Sequence, residues 1–188
     1  LNVRNDPRID AFLWKVDGTY KPAPSGASIQ TQGGIYSQSQ LSTSYNISWD
    51  APTPLMSYHE LKFIEAEAQF RTGNASWTAT LRDAISAAFD YHGVAGANAY
   101  FTANVQPRLT AGNELNEIMT QKYIAMFEAE AIEAYNDYRR TGIPTMRNPH
   151  NAIEGFVNRF PYALSETSSN SANVPTVDAL KDKVWWAG

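Results

Sequence analysis

An all-α fold, built from helix pairs with long, partly ordered loops, follows from three features of the sequence. Ser57 with Glu60 three residues on marks a helix start ahead of an apolar-periodic stretch. The short connection Gly73-Asn74-Ala75 leads to a second periodic stretch, which makes the two an antiparallel pair. From Glu114 to Thr141 there is neither Gly nor Pro.

In chain order, residues 1–56 carry Gly18, Gly26, Gly33, Gly34, Pro7, Pro22, Pro24, Pro52 and Pro54, with Ser, Thr and Gln dense from Ser25 to Ser48. Such punctuation excludes a long helix. The alternating pieces Ala11–Val16 and Tyr45–Trp49 allow edge strands, at most a hairpin. The capping box at Ser57, with Met56 and Leu61 as a hydrophobic staple, opens a helix over 58–71 that stops at Gly73. Leu61, Ile64 and Ala68 share one side of it, and Phe63, Ala66 and Phe70 the other, which predicts a helix sandwiched between neighbours. Ser76 caps a second helix ending near Tyr91 before Gly93, with Leu81, Ala84, Ile85, Ala88 and Phe89 on one face. A looser stretch spans 95–112. One long helix is then expected over 114–141, capped by Asn113 and ended by Gly142 and Pro144. Beyond lie loops, a turn of helix at 177–183, and Trp185-Trp186, too costly to leave in water and so expected to dock on the helices. Three regions result: loop-rich 1–56, helical 57–144, and a C-terminal loop and tail over 145–188.

The 188 residues suit one domain, and 43% hydrophobic side chains against 18% charged ones supply a core. A net charge of −4 gives no electrostatic footing for nucleic acid. Without Cys there is no disulfide, thiolate metal site or thiol nucleophile. No apolar run approaches the ~20 residues of a membrane-spanning helix. The start at Leu1, with no initiator Met and no signal-peptide pattern, fits a mature form or a fragment.

The stretch Ala66–Asn74, followed by Ala84, Ile85 and Ala88, resembles a tetratricopeptide unit. Downstream, Gln121-Lys122-Tyr123-Ile124-Ala125-Met126-Phe127 and Glu133-Ala134-Tyr135-Asn136-Asp137-Tyr138-Arg139-Arg140-Thr141-Gly142-Ile143-Pro144 resemble the signature of the SusD/RagB family. Asp6-Pro7-Arg8, Tyr58-His59-Glu60, Ala66-Glu67-Ala68, Arg159-Phe160-Pro161-Tyr162 and the terminal Trp pair fall in the family's order, matching its C-terminal portion only. The resemblance implies tetratricopeptide-like helix pairs in an α-α superhelix with a loop-rich region. It also implies a surface-exposed outer-membrane lipoprotein of Bacteroidota, anchored through an N-terminal lipid absent from this chain. Such a protein takes up nutrients by capturing oligosaccharide or polysaccharide for a SusC-like TonB-dependent transporter, without catalysis or cofactor. The missing N-terminal part of the same protein is then a further partner. Stacked repeats need about three units, so one pair and one long helix should leave an apolar face exposed unless another polypeptide or a second copy covers it. The rival readings are a protein-interaction scaffold with no sugar site of its own and a glycoside hydrolase accessory or enzyme domain.

His59, His92 and His150 lack metal-ligand spacing, and nucleotide and serine-hydrolase loops are absent. Glu65, Glu67, Glu128, Glu130 and Glu133 are the acids a glycosidase would need, but Glu65 and Glu67 point apart on one helix. A structural role is expected for them, with Glu67 paired to Arg139 or Arg140. Those two arginines end a helix, where positive charge offsets the macrodipole. A glycan binder needs flat rings to cover pyranose C–H faces and short polar side chains to bond hydroxyls. The first region offers Trp49, Tyr45, Tyr36 and Trp14, with Asn46 and Asp50 between, as the candidate glycan-binding set.

Overall fold

The computed structural model describes residues 1–23, 36–37, 54–127, 130–146 and 156–187. A 3-10 turn over Asn2–Arg4 leads into the short helix α1 (Ile9–Phe12). Helices α2 (Tyr58–Arg71) and α3 (Trp77–Tyr91) follow. Next, α4 (Ala97–Tyr100) runs on through a π turn at Phe101–Val105 and a 3-10 turn at Gln106–Arg108. Then come α5 (Glu114–Ala125), α6 (Ala131–Thr141) and the short α7 (Leu164–Ser169). Among the described residues there is no strand; Val16 and Thr19 form a bridge across an Asp17-Gly18 turn in which both residues take positive φ.

The two ends of the α2/α3 pair show that it is antiparallel. Phe70 meets Trp77 at 5.3 Å where the helices join, and His59 meets Tyr91 at 5.0 Å where they end. Their shared core holds Phe63 and Ala66 from α2 and the five predicted apolar residues of α3, together with Ile118, Met119 and Ala125 of α5. Helix α2 begins and ends where its sequence signals place it, but only one of its sides is buried. Both α3 and α5 pack on the Phe63 side, so Leu61 and Ile64 remain 48% and 39% exposed. Met56 of the expected staple is 60% exposed. With Leu55 this makes the exposed apolar strip that a lone repeat unit was expected to leave.

Four further expectations change. The stretch 97–108 is helical rather than loose, because Tyr100, Phe101 and Val105 all enter the core; Pro107 is tolerated in the first turn of its 3-10 segment, where no helical N–H is lost. The expected long helix is two helices: α5 ends at Ala125, and Glu130, outside helical geometry (φ −129, ψ 40), bonds Ser57 at the start of α2. Residues 177–183 form turns, not helix. Asp178 accepts from Leu180 N at 3.0 Å, and its own N–H donates to Asp182, so side chains take the bonds a helix would use. Neither Ser76 nor Asn113 caps with its side chain: Asn74 accepts from Ser76 N, and Asn113 donates to Arg108 O. At the tail, Trp186 lies under Arg139 at 4.7 Å, whereas Trp185 stays 95% exposed.

Ile118→Ala, at a side chain with no exposure, should lower the unfolding free energy by about 2–5 kcal/mol in urea titration, while Ile64→Ala on the open side of α2 should cost under about 1 kcal/mol. Equal losses would contradict the one-sided packing of α2.

Candidate functional site

Helix α5 carries a polar stripe into the core, and distant segments answer it. Glu117, with no side-chain exposure, accepts two bonds from Arg4 at 2.7 and 2.8 Å. Gln121 accepts from Arg8 at 2.8 Å and donates to Tyr100 and Glu117 at 3.0 Å each. Arg8 is also held by Asp6 and lies over the Phe89 ring at 4.9 Å. Burial pushes the Tyr100 phenol up to about 12, so it serves as a neutral acceptor. Lys122 stands 2.7 Å from Asp137 of α6. The Arg140 guanidinium grips Glu67 with two bonds, at 2.6 and 2.8 Å, and also reaches Asp137. Arg140, not Arg139, is therefore the cross-helix partner of Glu67. Arg139 instead stacks between the rings of Tyr135 (4.6 Å) and Trp186 (4.7 Å) and holds the tail.

Two hollows flank this seam. A groove of about 650 Å3 between α2 and α6 has Leu55, Met56 and Ile64 on one wall and Glu133, Asp137 and Arg140 on the other, with no aromatic ring among its described lining residues. A cavity of about 590 Å3 is lined by Phe12, Tyr123, Phe127, Tyr135, Tyr138 and Phe156, and is almost wholly apolar. A sugar needs a ring beside polar groups; the groove has no ring among its described lining residues, and the cavity surface is mainly apolar.

The combination occurs on the surface after α1. Trp14 is 53% exposed. Next in sequence, Lys15 bonds Asp10 at 2.8 Å and lies over the Tyr20 ring at 5.1 Å, and the Tyr20 hydroxyl donates to Asp10. These two donors hold the Asp10 carboxyl below the usual carboxylate range. Ser37 joins the same strip through Ser37 N to Lys21 O (2.8 Å) and Lys21 N to Ser37 Oγ (2.9 Å), which places the neighbouring, half-buried Tyr36 at the end of the Asp17-Gly18 hairpin. Of the candidate set, Trp14 is exposed and Tyr36 is half-buried next to the Ser37–Lys21 pair, while Tyr20 adds a ring under Lys15. Trp49, Tyr45, Asn46 and Asp50 lie outside the described residues.

The other candidates are structural. His59 and His92 are largely enclosed, their pKa values lowered by burial, with His92 Nε2 3.1 Å from Ala125 O. Among the described residues no group of His, Asp or Glu is placed to hold a metal. Glu65 accepts from Lys62 and Gln69, Glu133 from Asn136, and Glu130 from Ser57. His150 and Glu128 lie outside the described residues. Sequence reasoning misses the roles of Glu117 and Glu130. A buried carboxylate declares itself only through its cation or N–H donor, and here those donors sit 113 and 73 positions away.

Burial alone would raise the Glu67 carboxyl, but donation from Arg140 and Arg71 outweighs it and the net shift is downward. The stabilisation is therefore present above the unfolded carboxylate pKa and is lost as pH falls through the lower folded value. Glu67→Ala should cost about 1–3 kcal/mol near neutrality, less than a fully buried pair because Arg140 is 35% exposed, and the difference from wild type should shrink below about pH 4. An unchanged melting temperature at neutral pH would show the pair to be energetically idle.

A profile of the SusD-like family, described as "Starch-binding associating with outer membrane", matches residues 1–162. A search of curated proteins finds no match. Among solved structures, a SusD homologue from Bacteroides thetaiotaomicron superposes with a TM-score of 0.78 at 22% identity, over 99% of this chain and 49% of that one. A chitin-binding SusD homologue from Flavobacterium johnsoniae gives 0.73 at 23% identity, over 98% and 47%. A SusD homologue from Bacteroides uniformis gives 0.77 at 22%, over 100% and 48%. This chain spans about half the length of each of these, and at such identities the likeness establishes the fold. Matched by the family profile from its first residue through residue 162, and folded like SusD homologues, the chain belongs to the SusD-like family.

Proposed function

We propose that this chain is the C-terminal portion of a glycan-capture protein of the outer membrane, which hands oligosaccharides to a SusC-like TonB-dependent transporter. The family profile over residues 1–162, with its description as starch-binding and outer-membrane-associated, carries the reading. The strip around Trp14 supports it locally. Trp14 is an exposed indole, and on the same short segment Asp10, Lys15 and Tyr20 are joined to one another; a ring face and polar groups of these kinds are what a pyranose requires. No side chain is assigned a catalytic step. Under this proposal an N-terminal lipid and the N-terminal half of the protein lie outside this chain, and the other half contributes to the complete binding surface.

A second reading, a tetratricopeptide-like interaction scaffold without its own sugar site, draws on the exposed apolar strip of Leu55, Met56, Leu61 and Ile64. Contiguous apolar surface of this kind marks contacts with protein.

Titration with malto- and chito-oligosaccharides, followed by tryptophan fluorescence and calorimetry, separates the two. The glycan reading expects saturable binding to at least one series, weakened about threefold to tenfold in Trp14→Ala, the worth of one ring contact. Binding left intact in Trp14→Ala would move the site off this strip. A chain that binds none of the sugars favours the scaffold.

A further inference from the structure

Helices α2 and α6 bring more carboxylate to the groove between them than its cations answer. Two of the carboxyls in its described lining are paired: Glu67 with Arg71 at 2.7 Å and Arg140 at 2.6 Å, and Asp137 with Lys122 and Arg140 at 2.7 Å each. Those pairs use every cation of that lining. Glu133 keeps only a neutral donor, the Asn136 side-chain amide at 3.2 Å. Glu60 Oε1 has Lys122 no nearer than 3.9 Å, and Glu60 Oε2 has no hydrogen-bond donor among the described residues, although the residue is only 4% exposed.

The rest of the groove is aliphatic, with Leu55, Met56 and Ile64 in its lining and all three exposed. An occupant must suit both halves. A plain apolar side chain would cover Glu60 and Glu133 without giving either a partner, which carries a desolvation cost. An anion meets like charge, and a pyranose finds no ring among the described lining residues. A lysine or arginine side chain has what the groove lacks, because its alkyl stem lies along apolar surface while its head carries the missing positive charge.

We propose that the groove between α2 and α6 is a docking site for a basic side chain, lysine or arginine, presented by an apolar-flanked segment of a partner protein. The head lies against Glu133 and in the field of Glu60, the stem lies on Met56 and Ile64, and the flanking apolar residues cover Leu55 and Leu61 of the exposed strip. This docking extends the second reading above, in which the apolar strip contacts protein. It holds whether or not the Trp14 strip binds sugar, since the two surfaces share no residue.

The two free carboxylates act differently. Glu133 is half-buried, so an occupant of the groove can touch it and make a charge-assisted bond. Glu60 is buried, and its part is electrostatic. Burial, opposed by Lys122 and joined by the charges of Glu130 and Glu133, pushes its carboxyl up to about 7, as befits an acid short of positive charge.

The methyl-labelled chain, titrated by NMR at about pH 8, where Glu60 is ionised, reads the site with two peptides: acetyl-leucyl-lysyl-leucinamide and its norleucine counterpart, which keeps the stem and lacks the charge. Docking predicts saturable shifts of the Met56 and Ile64 methyls, with the lysine peptide bound at least about tenfold more tightly than the norleucine one, and most of that preference lost in Glu133→Gln. Equal affinity for the two peptides, no shift at these methyls, or a preference left intact in Glu133→Gln overturns the proposal. Shifts of the same methyls caused by chito-oligosaccharide, or by diluting the chain alone, put a sugar or a second copy in the groove and overturn it as well. Glu133 is half-buried and bonds only Asn136, so its variant should fold, and the comparison of the two peptides is made on the wild-type chain.

Discussion

Buried charge needs a partner, and among the described residues several of those partners are far away in sequence. A carboxylate or guanidinium left alone in the core destabilises by about 3–5 kcal/mol, so the fold is acceptable only when the segments bearing the two halves are brought together. The pairs Arg4–Glu117, Arg8–Gln121, Ser57–Glu130 and Glu67–Arg140 span 113, 113, 73 and 73 positions. They tie the N-terminal segment to α5 and α2 to α6. Apolar packing sets the α2/α3 pair and the face of α5 laid on it. The polar pairs decide where everything else attaches.

The candidate ligand strip depends on this arrangement. Trp14 and the hairpin follow α1 directly, and α1 is anchored at both its ends. Arg8 is fully buried among Asp6, Gln121 and the Phe89 ring, while Phe12 stacks on Phe127 at 4.5 Å and meets His92 at 4.7 Å. A ring presented from an anchored segment loses little conformational entropy when a ligand covers it, which is how a shallow surface site gains affinity. The same physics holds the tail, where Arg139 between Tyr135 and Trp186 fixes the backbone that presents Trp185.

Local signals are legible in the sequence and long-range ones are not. Helices α2 and α3, the stop at Gly142 with its left-handed φ of +70, and the five apolar residues of α3 can all be read from capping chemistry and periodicity, because those signals lie within one or two turns. The break between α5 and α6 cannot, since no Gly or Pro marks it. The contact that accompanies it, Glu130 on a serine in another segment, is long-range. The two-sided apolar pattern of α2 points to a sandwich, yet Leu61 and Ile64 are open, as one strip of a repeat unit is before another unit covers it. The family motifs fare better. Asp6, Arg8, Gln121, Lys122, Asp137, Glu67 and Arg140, all within segments that resemble the family, meet one another in the seam. The glycan strip is readable only as composition, and four of its six proposed residues lie outside the described structure.

That long-range polar pairs specify the fold is tested most directly by a double-mutant cycle on Arg4 and Glu117, using Arg4→Met, Glu117→Gln and the double variant in urea unfolding. Glu117 has no exposure and Arg4 only 17%, so little solvent screening intervenes. The account predicts a coupling energy above about 1 kcal/mol, with the double variant much less damaged than the two single losses added together. Losses that add to within about 0.5 kcal/mol would mean that the pair merely accompanies a fold set by apolar packing alone.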